Sequence, residues 1–320
     1  PKDAASLQFQ SFGIKNPKLW DVDTPYLYTL RFDLYEDSKL IDRYEQKVGI
    51  RTFGFDAEKG FVLNDRSLKI NGVCLHHDFG CLGSAFNKNA ARRQLEILKE
   101  MGCNAIRTSH NPYSEDFMDL CDKYGILVVD ELYDKWLDQY CGGCAPWALL
   151  WQKDIPEWIK RDRNHPCVVL WSIGNELDYP NDPYVHPLFQ EMTGNNDANK
   201  PSAERIYNPN KPNMERLLPI ARDLSAIVRR HDTTRPITLA ASFPELSAGL
   251  GIFDSLDVIC YNYKEHLYEE DHLRFPDMAI LGSENWHNLD AWKAVTEHDF
   301  ISGLFVWTGA DYLGEAIGWP

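Results

Sequence analysis

The chain has no apolar run approaching the roughly 18 residues that a membrane-spanning helix needs, which excludes that class. Its start, Pro1-Lys2-Asp3, lacks a basic region followed by an apolar one, so no signal peptide is visible. It also lacks an initiator Met, as expected if a leader or other sequence has been cut away. Basic residues are in deficit: 33 Lys and Arg stand against 48 Asp and Glu, a net charge of −15. Such a field repels a phosphate backbone and argues against a nucleic-acid partner, while a neutral substrate is indifferent to it. No Gly-rich phosphate fingerprint follows any apolar run, which argues against an open dinucleotide-binding sheet. Cysteine numbers eight but lacks metal spacing. Cys74, Cys103, Cys167 and Cys260 fall in apolar runs, where Cys acts as a small hydrophobe. Cys141-Gly142-Gly143-Cys144 is a lone pair with no second pair at zinc spacing. No metal and no cofactor is expected. Compartment and oligomeric state stay open.

What the chain does have is aromatic and alternating. It carries ten Trp, 15 Tyr and 15 Phe, which serve as core or as flat faces for sugar rings. Residues 1 to about 53 read as β: Leu27 to Tyr35 alternates and Ile41 to Arg51 follows as another strand. This looks like the last strands of a β-sandwich, which cannot close on so few, so a truncated start is expected. Phe61-Val62-Leu63, a turn at Asn64-Asp65-Arg66, and Ser67 to Ile70 read as a short hairpin, with a further turn at Asn71-Gly72.

From there strand and helix patterns alternate. Eight strands are predicted: Val73–Leu75, Asn104–Thr108, Leu127–Glu131, Val168–Gly174, Ile237–Ala240, Val258–Tyr261, Ala279–Ser283 and Leu304–Thr308. Between them, Leu95, Leu98 and Met101 line one helix face that Gly102 stops. Ser114 is placed to cap a helix carrying Phe117, Leu120, Cys121 and Tyr124, ended by Gly125. Leu217, Leu218, Ala221, Leu224, Ser225 and Val228 repeat the pattern. Eight alternating units predict an α/β fold, a (β/α)8 TIM barrel over 54–320, preceded by the C-terminal part of an immunoglobulin-like β-sandwich over 1–53. The barrel's closing helix is not in the sequence, so a truncated end is expected too. Long connections at Leu132–Lys153 and Leu177–Asn213 leave C-terminal strand ends, where a barrel builds its pocket.

Those ends carry the chemistry. They read His76-His77-Asp78, Arg107 to Pro112, Asp130-Glu131, Asn175-Glu176, Tyr261-Asn262-Tyr263, Ser283 to His287, and Trp307 to Asp311. Glu176, at the tip of the buried run Cys167 to Gly174, and Glu284 lie on strands four and seven, across the mouth from each other. Paired carboxyls there suit glycoside hydrolysis: one protonates the leaving oxygen, the other attacks, and a separation of about 5–5.5 Å favours retention. The plainer readings are an ion-pair role for each glutamate, satisfied core histidines, and Asp130 and Glu131 that simply hold Arg107. The coincidence of all these groups at one end weighs toward catalysis.

Asn104 to Pro112, and Arg163-Asn164-His165-Pro166 running to Asn175-Glu176, resemble the signatures of glycoside hydrolase family two, the family of bacterial and other β-galactosidases, β-glucuronidases and β-mannosidases. Asn16 to Trp20 with Pro25 to Tyr28 resembles its immunoglobulin-like domain. The resemblance implies Glu176 as acid/base and Glu284 as nucleophile, Asn175 on the sugar 2-hydroxyl, and Arg107 and Tyr263 on the nucleophile. It implies His110 and His287 on sugar hydroxyls and Trp307 as the floor of the sugar site. His77 and Asp78 would be further subsite residues. Asp257 to Tyr263 and Trp307 to Glu315 look most like bacterial β-galactosidases. Some of these carry magnesium on a Glu and a His after the third strand; Lys135 and Leu137 stand here, which argues against a metal. The implied activity is retaining exo-hydrolysis of terminal β-galactosides, with a carbohydrate partner, in the bacterial periplasm or cytoplasm, as monomer or homo-oligomer. β-Glucuronidase or β-mannosidase activity is the alternative within the family, and a non-catalytic carbohydrate-binding barrel the alternative outside it.

Overall fold

The computed structural model describes residue 11 and residues 13–137, 146–177 and 214–310. The chain begins with an antiparallel hairpin, β1 (Tyr28–Glu36) and β2 (Lys39–Val48), in register from Tyr28 opposite Val48. Phe32 and Tyr44 face each other across it and, with Leu34, stand more than half exposed on one face. An apolar sheet face of this kind is what a β-sandwich covers, which supports the sandwich expectation in part.

The segment before the hairpin packs on the rest of the molecule. Trp20 is fully buried and its Nε1 donates to the Asp122 carbonyl at 2.8 Å. Arg51 and Arg235 both donate to the Val168 carbonyl, at 2.7 and 2.8 Å, and Arg51 also reaches Pro166 O. Burial with a second guanidinium nearby pulls Arg51 down to about 9. The Asp122 carboxylate accepts from the Cys167 amide at 3.0 Å and contacts His165 Nδ1 at 2.7 Å, so this Asp-His-Cys cluster is occupied with tying its own backbone.

A small sheet follows: β3 (Phe53–Asp56), β4 (Gly60–Leu63) and β5 (Arg66–Ser67). The turn at Asn64-Asp65 has both residues at positive φ, the geometry a two-residue hairpin favours. Asn71-Gly72, expected as another turn, instead lies within a strand. That strand, β6 (Ile70–Leu75), pairs on both sides, which overrides the local turn tendency of the dipeptide.

Eight parallel strands then close a barrel: β6, β7 (Ala105–Thr108), β8 (Leu127–Glu131), β9 (Val168–Asn175), β10 (Ile237–Ala241), β11 (Val258–Asn262), β12 (Ala279–Asn285) and β13 (Ile301–Val306). They pair in chain order, and β13 returns to β6. Every residue of β8 and β9 is buried, as an apolar run covered on both faces requires. β13 starts and ends earlier than expected. Gly303 hides its start in the sequence, yet a Cβ there would come within 2.2 Å of the Ile70 carbonyl, so only glycine permits that pairing. Phe305 fills the barrel interior over Gly72, where a Cβ would meet its ring at 2.3 Å.

Helices wrap the outside: α1 (Lys88–Glu100), α2 (Glu115–Tyr124), α3 (Trp147–Asp162), α4 (Leu217–His231), α5 (Pro244–Gly249), α6 (Tyr268–Arg274) and α7 (Leu289–Thr296). Ala91, Leu95 and Leu98 form the buried stripe of α1, and Met101, expected with them, is 65% exposed past the last turn. Ser114 occupies the N-cap of α2 but makes no capping bond. Trp147 and Trp151 belong to α3 rather than to the preceding loop. Trp147 stacks on Trp136 at 6.3 Å and on Trp151 at 6.2 Å, so these rings act mostly as core. No described helix is long and apolar enough to cross a membrane. Cys141, Cys144, nearly all of the Leu177–Asn213 connection and Asp311 to Glu315 lie outside the described residues.

Candidate active site

The barrel delivers its polar strand ends to one mouth, and ladder bonds continue past the strands to fix them. Glu176 N donates to Ala240 O at 2.8 Å and Tyr263 N to Glu284 O at 2.8 Å. Trp307 N donates to Asn285 O at 3.0 Å. Glu176 and Tyr263 both hold positive φ, at 44° and 57°. A non-glycine residue tolerates this only where its surroundings enforce it, and such residues cluster at functional sites.

Arg107 is the hub. It is fully buried on β7, in register with Cys74, whose Sγ lies 3.3 Å from the Ser283 carbonyl. Nη1 donates to Glu284 Oε1 at 2.8 Å. Nε and Nη2 grip both oxygens of Glu131 at 2.8 to 3.1 Å. Nη2 also donates to Asn175 Oδ1 at 2.8 Å. Burial opposes the Arg107 charge, but the two carboxylates outweigh it and hold the guanidinium well above its usual range. Of the two acids suspected of holding Arg107, Glu131 alone does so. Asp130 points the other way, toward α3, where Trp158 Nε1 donates to it at 2.7 Å.

Asn262, which the sequence gave no reason to choose, ties the two sides together. Its Nδ2 donates to Asn175 Oδ1 at 3.0 Å and to Glu176 Oε1 at 3.2 Å, and its Oδ1 accepts from Ser283 Oγ at 2.7 Å. Only its position between Tyr261 and Tyr263 at a strand end hinted at this. Tyr263 hydrogen-bonds Glu284, and burial together with that charge pushes its phenol up. Trp286, 48% exposed on the rim, packs on Tyr263 at 4.7 Å.

The two acids differ in environment. Glu284 is buried against the Arg107 guanidinium. Glu176 has no direct guanidinium partner among the described residues, and burial, then the charge of Glu284, push it up to about 7. Glu284 thus has a guanidinium against it, while the surroundings of Glu176 favour its protonated form near neutrality.

His110 faces both. Its Nδ1 contacts Glu131 Oε1 at 2.6 Å, and its Nε2 lies 3.3 Å from Asn175 Nδ2 and 3.8 Å from Glu284 Oε1. Burial and then the adjacent Arg107 pull it down to about 3, so the ring is neutral and its contact with Glu131 is a hydrogen bond, not an ion pair. Trp307 stacks on His110 at 5.3 Å and 11°, and edge-on against His76 at 5.1 Å. The structure thus brings Glu176, Glu284, Asn175, Arg107, His110, Tyr263 and Trp307 together. His287 sits exposed on the rim, outside this hydrogen-bonded cluster. His77 turns into a nest of Phe79, Phe86 and Tyr113, and Asp78 accepts from the Gly80 amide at 2.8 Å. Neither bonds to the carboxylates.

Residues 57–202 match the family described as glycosyl hydrolases family 2, TIM barrel domain, and residues 1–51 match glycosyl hydrolases family 2. A β-galactosidase of Bacteroides ovatus is 38% identical over 97% of this chain and 42% of its own length. A β-glucuronidase of Bacteroides fragilis is 28% identical over 93% of this chain and 44% of its own. The crystal structure of a glycosyl hydrolase family 2 member from Bacteroides cellulosilyticus superposes with a TM-score of 0.78 at 37% identity, over 94% of this chain and 36% of that one. The chain therefore spans less than half the length of these relatives.

Proposed function

Since the chain belongs to glycosyl hydrolase family 2, we propose that it carries the catalytic barrel of a retaining exo-β-glycosidase acting on terminal β-D-galactosides. The observation that carries this reading is the asymmetric pair of acids at the ends of β9 and β12: Glu284 against Arg107, Glu176 pushed up to about 7. Glu284 attacks the anomeric carbon while Glu176 gives its proton to the departing oxygen. Ester formation then consumes the Glu284 charge. One of the two influences that raise Glu176 is gone, so its pKa falls and it takes a proton from the incoming water. Water attacks the anomeric carbon, Glu284 leaves as carboxylate, and the sugar departs with its configuration retained. Asn175, held by Arg107 and Asn262, is placed to meet the sugar 2-hydroxyl, and Trp307 with His110 offers a flat wall for the ring. His287 is assigned to sugar hydroxyls on the rim, and His77 and Asp78 to outer positions. Residues 1–53 are assigned to the end of an immunoglobulin-like domain.

Identity to the Bacteroides ovatus β-galactosidase, above that to the Bacteroides fragilis β-glucuronidase, supports the galactoside preference. A panel of chromogenic β-galactoside, β-glucuronide and β-mannoside tests it: release of the chromophore from the galactoside first and fastest is expected, with β-anomeric sugar seen by NMR before mutarotation. Faster release from the glucuronide overturns the galactoside assignment, and inverted product overturns the mechanism.

The pH profile gives a second check. In the free protein Glu176 must be protonated, and burial and the Glu284 charge raise it to about 7. kcat/KM is therefore expected to fall as pH rises through about 7 and to hold its plateau below. A basic limb that survives unchanged in an active Glu176→Gln protein would remove Glu176 from that role.

A further inference from the structure

Lysine is almost never buried without a partner, yet Lys135 is 7% exposed at the barrel mouth. Its Nζ lies 2.5 Å from Asp134 Oδ1. The same oxygen accepts from Asn175 Nδ2 at 3.1 Å, and the Asp134 carbonyl accepts from the Asn175 amide at 2.8 Å. Asn175 is thereby gripped by backbone and side chain at once. The grip fixes which way its amide points, leaving Oδ1 for Arg107 and Asn262. The next residue anchors the segment: Trp136 Nε1 donates to Ile173 O at 2.8 Å, and its ring closes over Gly174, where a Cβ would come within 2.9 Å.

We propose that Lys135 is a positioning residue for the acid/base step, clamping Asp134 onto Asn175, the neighbour of Glu176, and so placing its ammonium group on the Asn175 side of that acid; this rests on the role assigned to Glu176 above.

The charges around Glu176 come from several elements. Glu284 approaches from β12, Arg107 from β7, His110 from the segment just after it, and Glu131 from β8. Asp134 and Lys135 follow β8, and Asn262 and Tyr263 come from β11 and its end. His110 is neutral, Arg107 is paired with Glu131 and Glu284, and Lys135 is paired with Asp134. Of the two cations, Lys135 acts the more strongly on Glu176, opposing both its burial and the Glu284 charge. It acts in the same sense on Glu131 and against protonation of His110. A buried acid beside a carboxylate, with nothing to oppose either, would be too weak to protonate a leaving group efficiently near neutrality.

The test uses Lys135→Met, Lys135→Gln and Lys135→Arg in the whole protein. Lys135→Met is expected to move the basic limb of kcat/KM upward by roughly one pH unit. Lys135→Gln removes the charge but keeps a donor for Asp134, so it should shift the limb equally with less loss of stability. Lys135→Arg should return the limb toward its original place. A readout without substrate is the side-chain carboxyl signal of 13C-labelled Glu176, assigned by its loss in Glu176→Gln. It should titrate higher in Lys135→Gln by the same amount. An unshifted titration in folded Lys135→Gln overturns the proposal. A protein that hydrolyses no glycoside at all overturns the proposed function instead, while the carboxyl titration still decides Lys135.

Discussion

Glu284→Gln is expected to leave no covalent turnover, because an amide at the end of β12 cannot form or release the glycosyl ester. Glu176→Gln should behave differently, and the difference identifies the roles. With a poor leaving group, loss of the acid should lower kcat/KM on the order of 10²–10⁴-fold. With a leaving group such as dinitrophenolate, which departs without a proton, the first step should survive. The second step still needs a base, so a burst of chromophore followed by a slow steady state is expected. Glu284→Gln should show no burst with either substrate. Stopped-flow absorbance on both variants makes the comparison. The same burst in Glu284→Gln, or normal steady-state rates in either variant, would reverse or remove the assignment. Loss of the Asn262 contact with Glu176 is not the cause, since Gln keeps an oxygen for that donor.

The second large effect belongs to Arg107. Removing one partner of a buried charge cluster strands the others, at a cost of about 3–5 kcal/mol. In Arg107→Met the stranded groups are Glu131, held otherwise by Ser172 Oγ at 2.6 Å and His110, and Glu284, left with Tyr263. Chemical denaturation should show that loss of stability, and activity should vanish with it. Adding Glu131→Gln neutralises one stranded carboxyl. The double variant should recover part of the stability but none of the activity, because the guanidinium on Glu284 is still missing. Full recovery of activity in the double variant would mean that Arg107 serves only the fold.

Much of this architecture could be read from the chain before any coordinates. The run Cys167 to Gly174 is apolar without alternation, so burial on both faces followed, and Glu176 at its tip stood out as an acid in an expensive place. The stripes on α2 and α4 and the stop at Gly125 were equally plain; Gly125 holds a φ of 67° and packs so close to the Val22 carbonyl that a Cβ would sit 2.5 Å from it. What stayed hidden depends on partners distant in sequence. The β13 boundary hinges on Gly303 meeting Ile70, and Asn71-Gly72 became strand because neighbours on both sides supply its bonds. Asn262 is an unremarkable amide until the barrel closes it onto Asn175 and Glu176. Lys135 reads as a surface residue from its type alone, and only the fold makes it a buried cation. For His77, implied as a subsite residue by the resemblance alone, the fold supplies surroundings that the sequence did not show: the aromatic rings of Phe79, Phe86 and Tyr113.

The filling of the barrel behind the carboxylates has one more consequence. Cys74 Sγ lies 3.6 Å behind Arg107 Nη1, and deeper on the strand that carries Cys74, Phe305 covers Gly72. With the barrel packed behind the carboxylates, the proposed ester on Glu284 would have to be both made and cut from the mouth side. An analogue whose ester is cut slowly would then stand in the way of the next substrate.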